Sequence, residues 1–401
     1  MQLAELIAAQ REGYAMPQPF YTAPEIFEAD RAAIFGREWL LAGHVSELAA
    51  PGDYLVFDIL DDSVIVVRDA KGDLAAFANV CRHRGSRLCI EPRGNVRRFT
   101  CPYHAWVFNL DGSLFSARML EDHHDRAALG LIPVAMEVLE GLIYVSLADD
   151  PPDFAPLRAA LTPCLAPFDL AATRIAHREV YPVRANWKLL VENYNECYHC
   201  TPAHPEFARS HATHLAEDRV APLNDAMAAR AAACGVPTTF IDRIGRSGTP
   251  GVADHAYNRY ALFDGYRTGS EDGTPVAPLL GQITGHDGGA SDAYVGMLNP
   301  MLLYCDHAVL YRFLPTDTDH CAQEIIWLVR EGARPGRDYN IDRLTWLWDV
   351  TTKSDKRIVE DNARGVASRH YRPGPLVPME RYVARFIDAY QTTLQRYEDR
   401  P

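Results

Sequence analysis

The sequence is poor in several features whose absence narrows its class. It has no uninterrupted apolar run of the ~20 residues that a membrane helix requires. Its first residues, MQLAELIAAQREGYAMPQPF, lack the basic stretch and apolar core of a secretory leader. A cytoplasmic protein with no membrane partner is expected. Positive charge is also scarce: 40 Lys and Arg face 53 Asp and Glu, formally −13, which repels nucleic acid rather than attracting it. The nine cysteines are an odd number scattered between positions 81 and 321, which argues for a reducing compartment rather than a disulfide framework. No G-x-G-x-x-G follows a strand-like segment, so the chain itself is not expected to carry flavin or nicotinamide.

What is present is length and alternation of texture. At 401 residues the chain exceeds what one hydrophobic core usually serves, and two domains are expected. Residues 23–40, APEIFEADRAAIFGREWL, have helical spacing of apolar positions and a proline at the start. From Gly52, short runs such as DYLVFDI, SVIVVRD and LAAFANV alternate with LDD and DAKGD turns, a strand meander. WVFNLDGSLF reads as two strands around an Asp-Gly turn, and GLIYVSLA as a closing strand. The acidic, proline-rich DDPPDFAP then marks a domain boundary near Asp150. We therefore expect a helical segment over 1–37 that packs on the later domain, a β-rich domain over 38–150 and a mixed domain over 151–401. In the last, NWKLLVENYNECYH predicts a helix, HREVYPVRA, HAVLYRFLP and CAQEIIWLVRE predict strands, and helices close the chain over about 338–368 and 378–398. Residues 224–292, which include GRSGTPG, DGTPVAP and GHDGGASD, show no clear periodicity and predict long loops.

The chemistry-bearing residues form two constellations. In ANVCRHRGSRLCIEPRGNVRRFTCPYHAW, Cys81 pairs with His83 and Cys101 with His104. Isolated buried cysteines and satisfied histidines are common, but four in two tight loops make a ligand set the better reading. A zinc module tends to put two cysteines in one pair and two histidines in the other, whereas here each pair is mixed. One Cys and one His from each of two loops supply what a [2Fe–2S] cluster with two thiolates on one iron and two imidazoles on the other requires. Cys89 has no matching partner and reads as packing.

The second constellation lies in NWKLLVENYNECYHCTPAHPEF. On a helix Glu192, Glu196 and His199 would share one stripe, with Trp187, Leu190, Val191 and Tyr194 as apolar surface. His204, just past Pro202, folds back toward the same spot. Two histidines and one carboxylate form a facial triad for non-haem Fe(II) with open positions for O2. His211 and His214 also have helical spacing, without a supporting motif. The carboxylate comes from KSDKRIVEDNARG, which offers Asp355, Glu360 and Asp361; sharing a stripe with Leu347 and Ile358, Asp361 is the choice.

C-x-H, seventeen residues, then C-x-x-H and Trp106, together with ANWK, E-x-x-H-x4-H and the late Asp361, resemble the α subunits of Rieske non-haem iron oxygenases over most of the chain. Glu196 in ENYNECYHC, with PQPFY, NVCRHRGSRLC and YRPGP, resembles the branch acting on glycine betaine, carnitine and stachydrine. The resemblance implies an α+β chain: a β-rich N-terminal Rieske [2Fe–2S] domain, then an α/β mononuclear-iron catalytic domain with a central antiparallel sheet. It also implies a head-to-tail homotrimer in which Glu196 links His199 to a neighbour's His104. A separate NAD(P)H-dependent flavin/iron–sulfur reductase would deliver the electrons. The implied reaction uses O2 to hydroxylate an N-methyl group of a small quaternary ammonium compound. Tyr194, Tyr257, Tyr260, Phe263 and Tyr304 are the candidates for holding its cation by their aromatic faces. Two other readings stay open: oxidation of an aromatic acid, and a non-catalytic iron–sulfur electron carrier.

Overall fold

A computed structural model describes residues 3–244 and 252–398, so the GRSGTPG stretch expected as loop lies outside the described residues. The chain divides into two compact units, Leu40–Pro151 and a larger one made of Met1–Trp39 with Pro152–Pro401.

The smaller unit is built from three antiparallel sheets. The four-stranded one runs in the order Leu74–Ala78, Asp62–Arg68, Asp53–Ile59, Arg93–Asn95. Its central strand, DSVIVVR, is almost continuously buried, as its unbroken β-branched run requires. A three-stranded sheet joins Leu40–His44 and Ala135–Leu139 to either side of Leu142–Ser146. The third holds the short strands Phe99–Thr100, Val107–Phe108 and Leu114–Ser116. The expected Asp-Gly turn joins the last two: Gly112 sits at φ +82°, and a Cβ there would strike the Phe77 ring. Tyr54, Ile65, Phe77, Leu88, Phe99, Trp106 and Phe108 form the core, and Cys81 and Cys101 lie in it.

The larger unit is organised by a seven-stranded antiparallel sheet. The strand order is Thr173–Val183, Cys321–Arg330, Ala308–Pro315, Pro300–Leu303, Gly289–Val295, His255–Ala261, Ile241–Ile244. The α+β class with a central antiparallel sheet is as the sequence implied. The region expected as loops holds more structure: Glu217–Cys234 is an 18-residue helix, and strands cover His255–Ala261 and Gly289–Val295. Only Met227 and Ala231 of that helix are buried, so it has almost no apolar stripe to read.

The N-terminal segment, with helix Pro24–Asp30, is anchored by charge. Asp30 and Lys188 form an ion pair in which both side chains are fully buried. Trp187 Nε1 and the Tyr390 hydroxyl donate to the same carboxylate at 3.0 and 2.6 Å. Three segments distant in sequence thus meet on one group, at the start of helix Trp187–Tyr194. The long helix Ile341–Val366 and the closing helix Arg381–Glu398 complete the unit.

Candidate active site and cluster loops

The two Cys/His loops have matching backbones. Cys81 N–H donates to Ser86 O and Cys101 N–H to Trp106 O, both at 2.8 Å. The Cys81 and Cys101 carbonyls accept from Gly85 and Ala105 N–H at 2.9 and 3.0 Å. In each loop the fourth residue after the cysteine must take a left-handed conformation, φ +77° at Gly85 and +55° at Ala105. Glycine adopts this freely; alanine does so at a cost of about 1 kcal/mol.

The loops bury the sulfurs and expose the imidazoles. His83 and His104 lie with ring centroids 4.7 Å apart, and His83 stacks on Trp106 at 4.8 Å. Neither imidazole hydrogen-bonds another described residue, so both are free to act as ligands. Burial pushes the Cys81 thiol up. At Cys101, backbone N–H groups of Tyr103 and His104 outweigh burial and lower the thiol. Such N–H donors stabilise a thiolate and suit an iron–sulfur ligand. Cys89 packs in the core with its thiol pushed up to about 12 by burial.

In the larger unit, helix Trp187–Tyr194 starts at Asn186, whose side chain caps Lys188 N–H. It ends at Tyr194, so Glu192, Glu196 and His199 do not share the stripe expected of them. Glu192 instead accepts from the Tyr21 hydroxyl at 2.9 Å, and burial lifts its carboxyl to about 8. Glu196 and His199 lie in the turn beyond, and His204 between two short helices, Cys200–Ala203 and Pro205–Ala208.

The carboxylate that meets the histidines is Asp355, not Asp361. Asp355 Oδ1 is 3.2 Å from His199 Nε2 and 2.8 Å from His204 Nε2, and one donor atom from each of the three lies within 4.8 Å of the others. Asp361 is 57% exposed and paired with Arg364 at 2.7 Å. Helix phase explains the difference: the inward stripe runs through Trp348, Thr351, Thr352 and Val359, which brings Asp355 into line. Anchoring the stripe on Ile358 turns the helix by one position and selects Asp361.

Glu196 Oε1 approaches His199 Nδ1 to 2.5 Å. Holding the proton on Nδ1 leaves the Nε2 lone pair directed at the Asp355 carboxylate. Two electron-rich atoms facing each other call for a cation between them. A proton can be that cation: burial opposes charge on His199, but hydrogen bonds to Asp355 and Glu196 outweigh it and lift the imidazole to about 10. At Asp355 the bonds to both histidines outweigh burial and lower the carboxyl. The donor set of two imidazoles and one carboxylate fits Fe(II). His211 takes no part: it bonds Ser210 and Tyr304 at 2.7 and 2.8 Å, and burial lowers it to about 3.

A cavity of about 700 Å³ is lined by this triad. Of the aromatic candidates, Tyr194 and Tyr260 line it; Tyr257, Phe263 and Tyr304 do not. Tyr257 points to the opposite sheet face, bonded to Ser291 at 2.8 Å, and Tyr304 is occupied by His211. Tyr311, Trp348 and Asp292, which sequence reasoning missed, also line the cavity. The Tyr311 hydroxyl and Gln323 Oε1 are buried there without a hydrogen-bond partner among the described residues, as polar atoms awaiting a ligand or water would be.

Comparison with known proteins agrees with this geometry. Residues 38–125 match the Rieske [2Fe-2S] domain and residues 170–396 the ring hydroxylating alpha subunit catalytic domain. The glycine betaine monooxygenase oxygenase subunit of Chromohalobacter salexigens is 36% identical over 98% of this chain and 88% of its own length. The same-named subunit of Pseudomonas aeruginosa is 34% identical over 96% and 90%. The crystal structure of the quaternary ammonium Rieske monooxygenase CntA superposes with a TM-score of 0.75 at 24% identity, covering 98% of this chain and 99% of that one. The two domain matches and the full-length relatives identify the chain as a Rieske non-haem iron monooxygenase of the ring-hydroxylating α-subunit family, with each candidate ligand set lying inside the domain that matches its chemistry.

Proposed function

We propose that the protein is the terminal oxygenase of a multicomponent system that hydroxylates an N-methyl group of a small quaternary ammonium compound of the glycine betaine type. The observation that carries this reading is the cavity: Tyr194, Tyr260 and Tyr311 line it together with the Asp292 carboxylate, a wall suited to a cation with no N–H to donate. The names of the two relatives point the same way.

Cys81, Cys101, His83 and His104 would hold the [2Fe–2S] cluster, and His199, His204 and Asp355 the Fe(II). When bound, these centres supply single electrons and reductive activation of O2. The chain's own residues do the rest. Glu196 keeps the His199 proton on Nδ1 and so presents Nε2 to the metal. The tyrosine faces orient the cation and exclude water. In balance, the methyl group, O2, two electrons and two protons give N–CH2OH and water. The product then loses a proton and splits into formaldehyde and a tertiary amine.

A separate flavin/iron–sulfur reductase would draw the electrons from NAD(P)H. The exposed His83 and His104 favour a homotrimer in which one chain's cluster loops are covered by a neighbour, with Glu196 as the link between centres. The nine free thiols fit a cytoplasmic location. The test is a screen of betaines, carnitine and aromatic acids for NADH-dependent O2 uptake with a suitable reductase. Fastest turnover of a betaine supports the reading; fastest turnover of an aromatic acid overturns it.

A further inference from the structure

The mouth of the cavity carries a positive charge for which a simple cation has no use. The inner end is lined by the buried side chains of His204, Tyr311 and Trp348, whereas Arg381 and Glu217 are exposed and stand at the rim. Among the described residues, Arg381 is the one Lys or Arg side chain on the lining. It is the first residue of the closing helix, and its neighbour holds it in place. Arg381 Nη2 donates to the Tyr382 hydroxyl at 3.3 Å, and the guanidinium lies 4.9 Å from the Tyr382 ring centroid. Arg385, one turn on, approaches the same ring at 5.7 Å but is ion-paired with Asp242. Arg381 has no such ion pair among the described residues. Glu380, the adjacent acid, accepts instead from Val377 N–H at 2.7 Å.

A cation moving toward the iron ligands is repelled by a guanidinium at the entrance. A zwitterion that enters ammonium first gains at both ends, with its cation on the tyrosine faces and its anion at the rim. We propose that Arg381 is the anchor of an outer carboxylate subsite. The substrate class narrows accordingly to betaines, quaternary ammonium compounds that carry a carboxylate, and choline-like cations without one are disfavoured. The inference rests on the quaternary-ammonium reading above and names the second charge that its substrate must bear. The chemistry of the side chain suits the role: a guanidinium fork meets a carboxylate with two parallel N–H donors. The contact with Tyr382 restricts the rotamers of Arg381 before substrate arrives, which lowers the entropy lost on binding. Substrate filling the cavity also keeps water from the pair, so the contact is stronger than an open surface ion pair.

The test uses the metal-loaded enzyme with its reductase. Arg381→Gln keeps a donor for the Tyr382 hydroxyl and removes the charge, so iron and cluster contents should match wild type. For the betaine that wild type turns over best, KM should rise about tenfold or more while kcat changes less than about threefold. Two competitive inhibitors separate the charges. The Ki of choline, which has the ammonium group but no carboxylate, should stay the same or fall in the variant. The Ki of 3,3-dimethylbutanoate, which has the carboxylate but no ammonium group, should rise by a factor similar to that of the betaine KM. Arg381→Lys should recover part of the loss, because the charge remains without the fork. Arg381→Ala replaces the Gln variant if that one does not load its metals, with the same expectation. An unchanged betaine KM, or equal weakening of betaine and choline, overturns the subsite. So does a wild-type enzyme that oxidises choline as readily as any betaine, a result that leaves the quaternary-ammonium reading standing. A wild-type enzyme that oxidises no quaternary ammonium compound overturns that reading itself.

Discussion

Lys188→Met tests the buried anchor that ties the N-terminal segment and the closing helix to the start of the helix preceding the iron histidines. Both charges are fully buried, so the pair in place contributes little net stability, but removing one partner leaves the other uncompensated. The expected loss is about 3–5 kcal/mol, which at about 2 °C per kcal/mol lowers the melting temperature by roughly 6–10 °C. Burial already raises the Asp30 carboxyl, and Lys188 is the largest cause opposing that rise. In the variant Asp30 therefore takes up a proton on folding that the unfolded chain releases above about pH 4. The native state binds more protons than the unfolded state in this window, so the deficit should be small near pH 5 and grow toward pH 8. Asp30→Asn with Lys188→Met removes both charges while leaving an acceptor for Trp187 and a donor for Tyr390, and should recover most of the loss. Thermal unfolding followed by near-ultraviolet circular dichroism at pH 5, 6.5 and 8 reads all of this. A Lys188→Met protein within about 1 kcal/mol of wild type at every pH, or a double variant no better than the single one, would refute the reasoning.

Other outcomes follow from the site. Asp355→Asn should lose mononuclear iron by elemental analysis while keeping the cluster's paramagnetic signal, and Asp361→Asn should keep both; the reverse pattern would restore Asp361 to the triad. Glu196→Gln keeps the reach to His199 but not the charge, so both centres should fill while turnover drops by about 10- to 100-fold or more, and normal turnover would remove Glu196 from the mechanism. With its carboxyl raised to about 8, Glu192 binds a proton in the native state that the unfolded chain lacks from about pH 4.5 upward, so stability falls as pH rises through that window. Glu192→Gln should flatten that slope and melt higher than wild type at pH 8; an unchanged slope contradicts the shift.

How much of this was legible in the sequence depended on whether spacing or packing carried the information. The cluster ligands lie within two short loops, so their spacing alone encodes the geometry, and His199 and His204 are separated only by a local turn. The carboxylate of the candidate triad, Asp355, is 151 residues from His204 and depends on helix phase, which turns on whether Ile358 or Val359 faces inward. The sequence offers both as apolar anchors, and only packing decides. Pocket aromatics raise the same problem in strands. Tyr257 and Tyr260 are three apart and must leave the sheet on opposite faces, so one of the two could not line the cavity. Asp292 and Tyr311 reach it through cross-strand register, which no local pattern displays.

The most direct test of the central claim is product stoichiometry with glycine betaine, NADH, O2 and a competent reductase. The account predicts equal amounts of formaldehyde, tertiary amine and O2 consumed, because one methyl group leaves at each turnover. O2 uptake without formaldehyde, or a hydroxylated product that retains all three methyl groups, would contradict it.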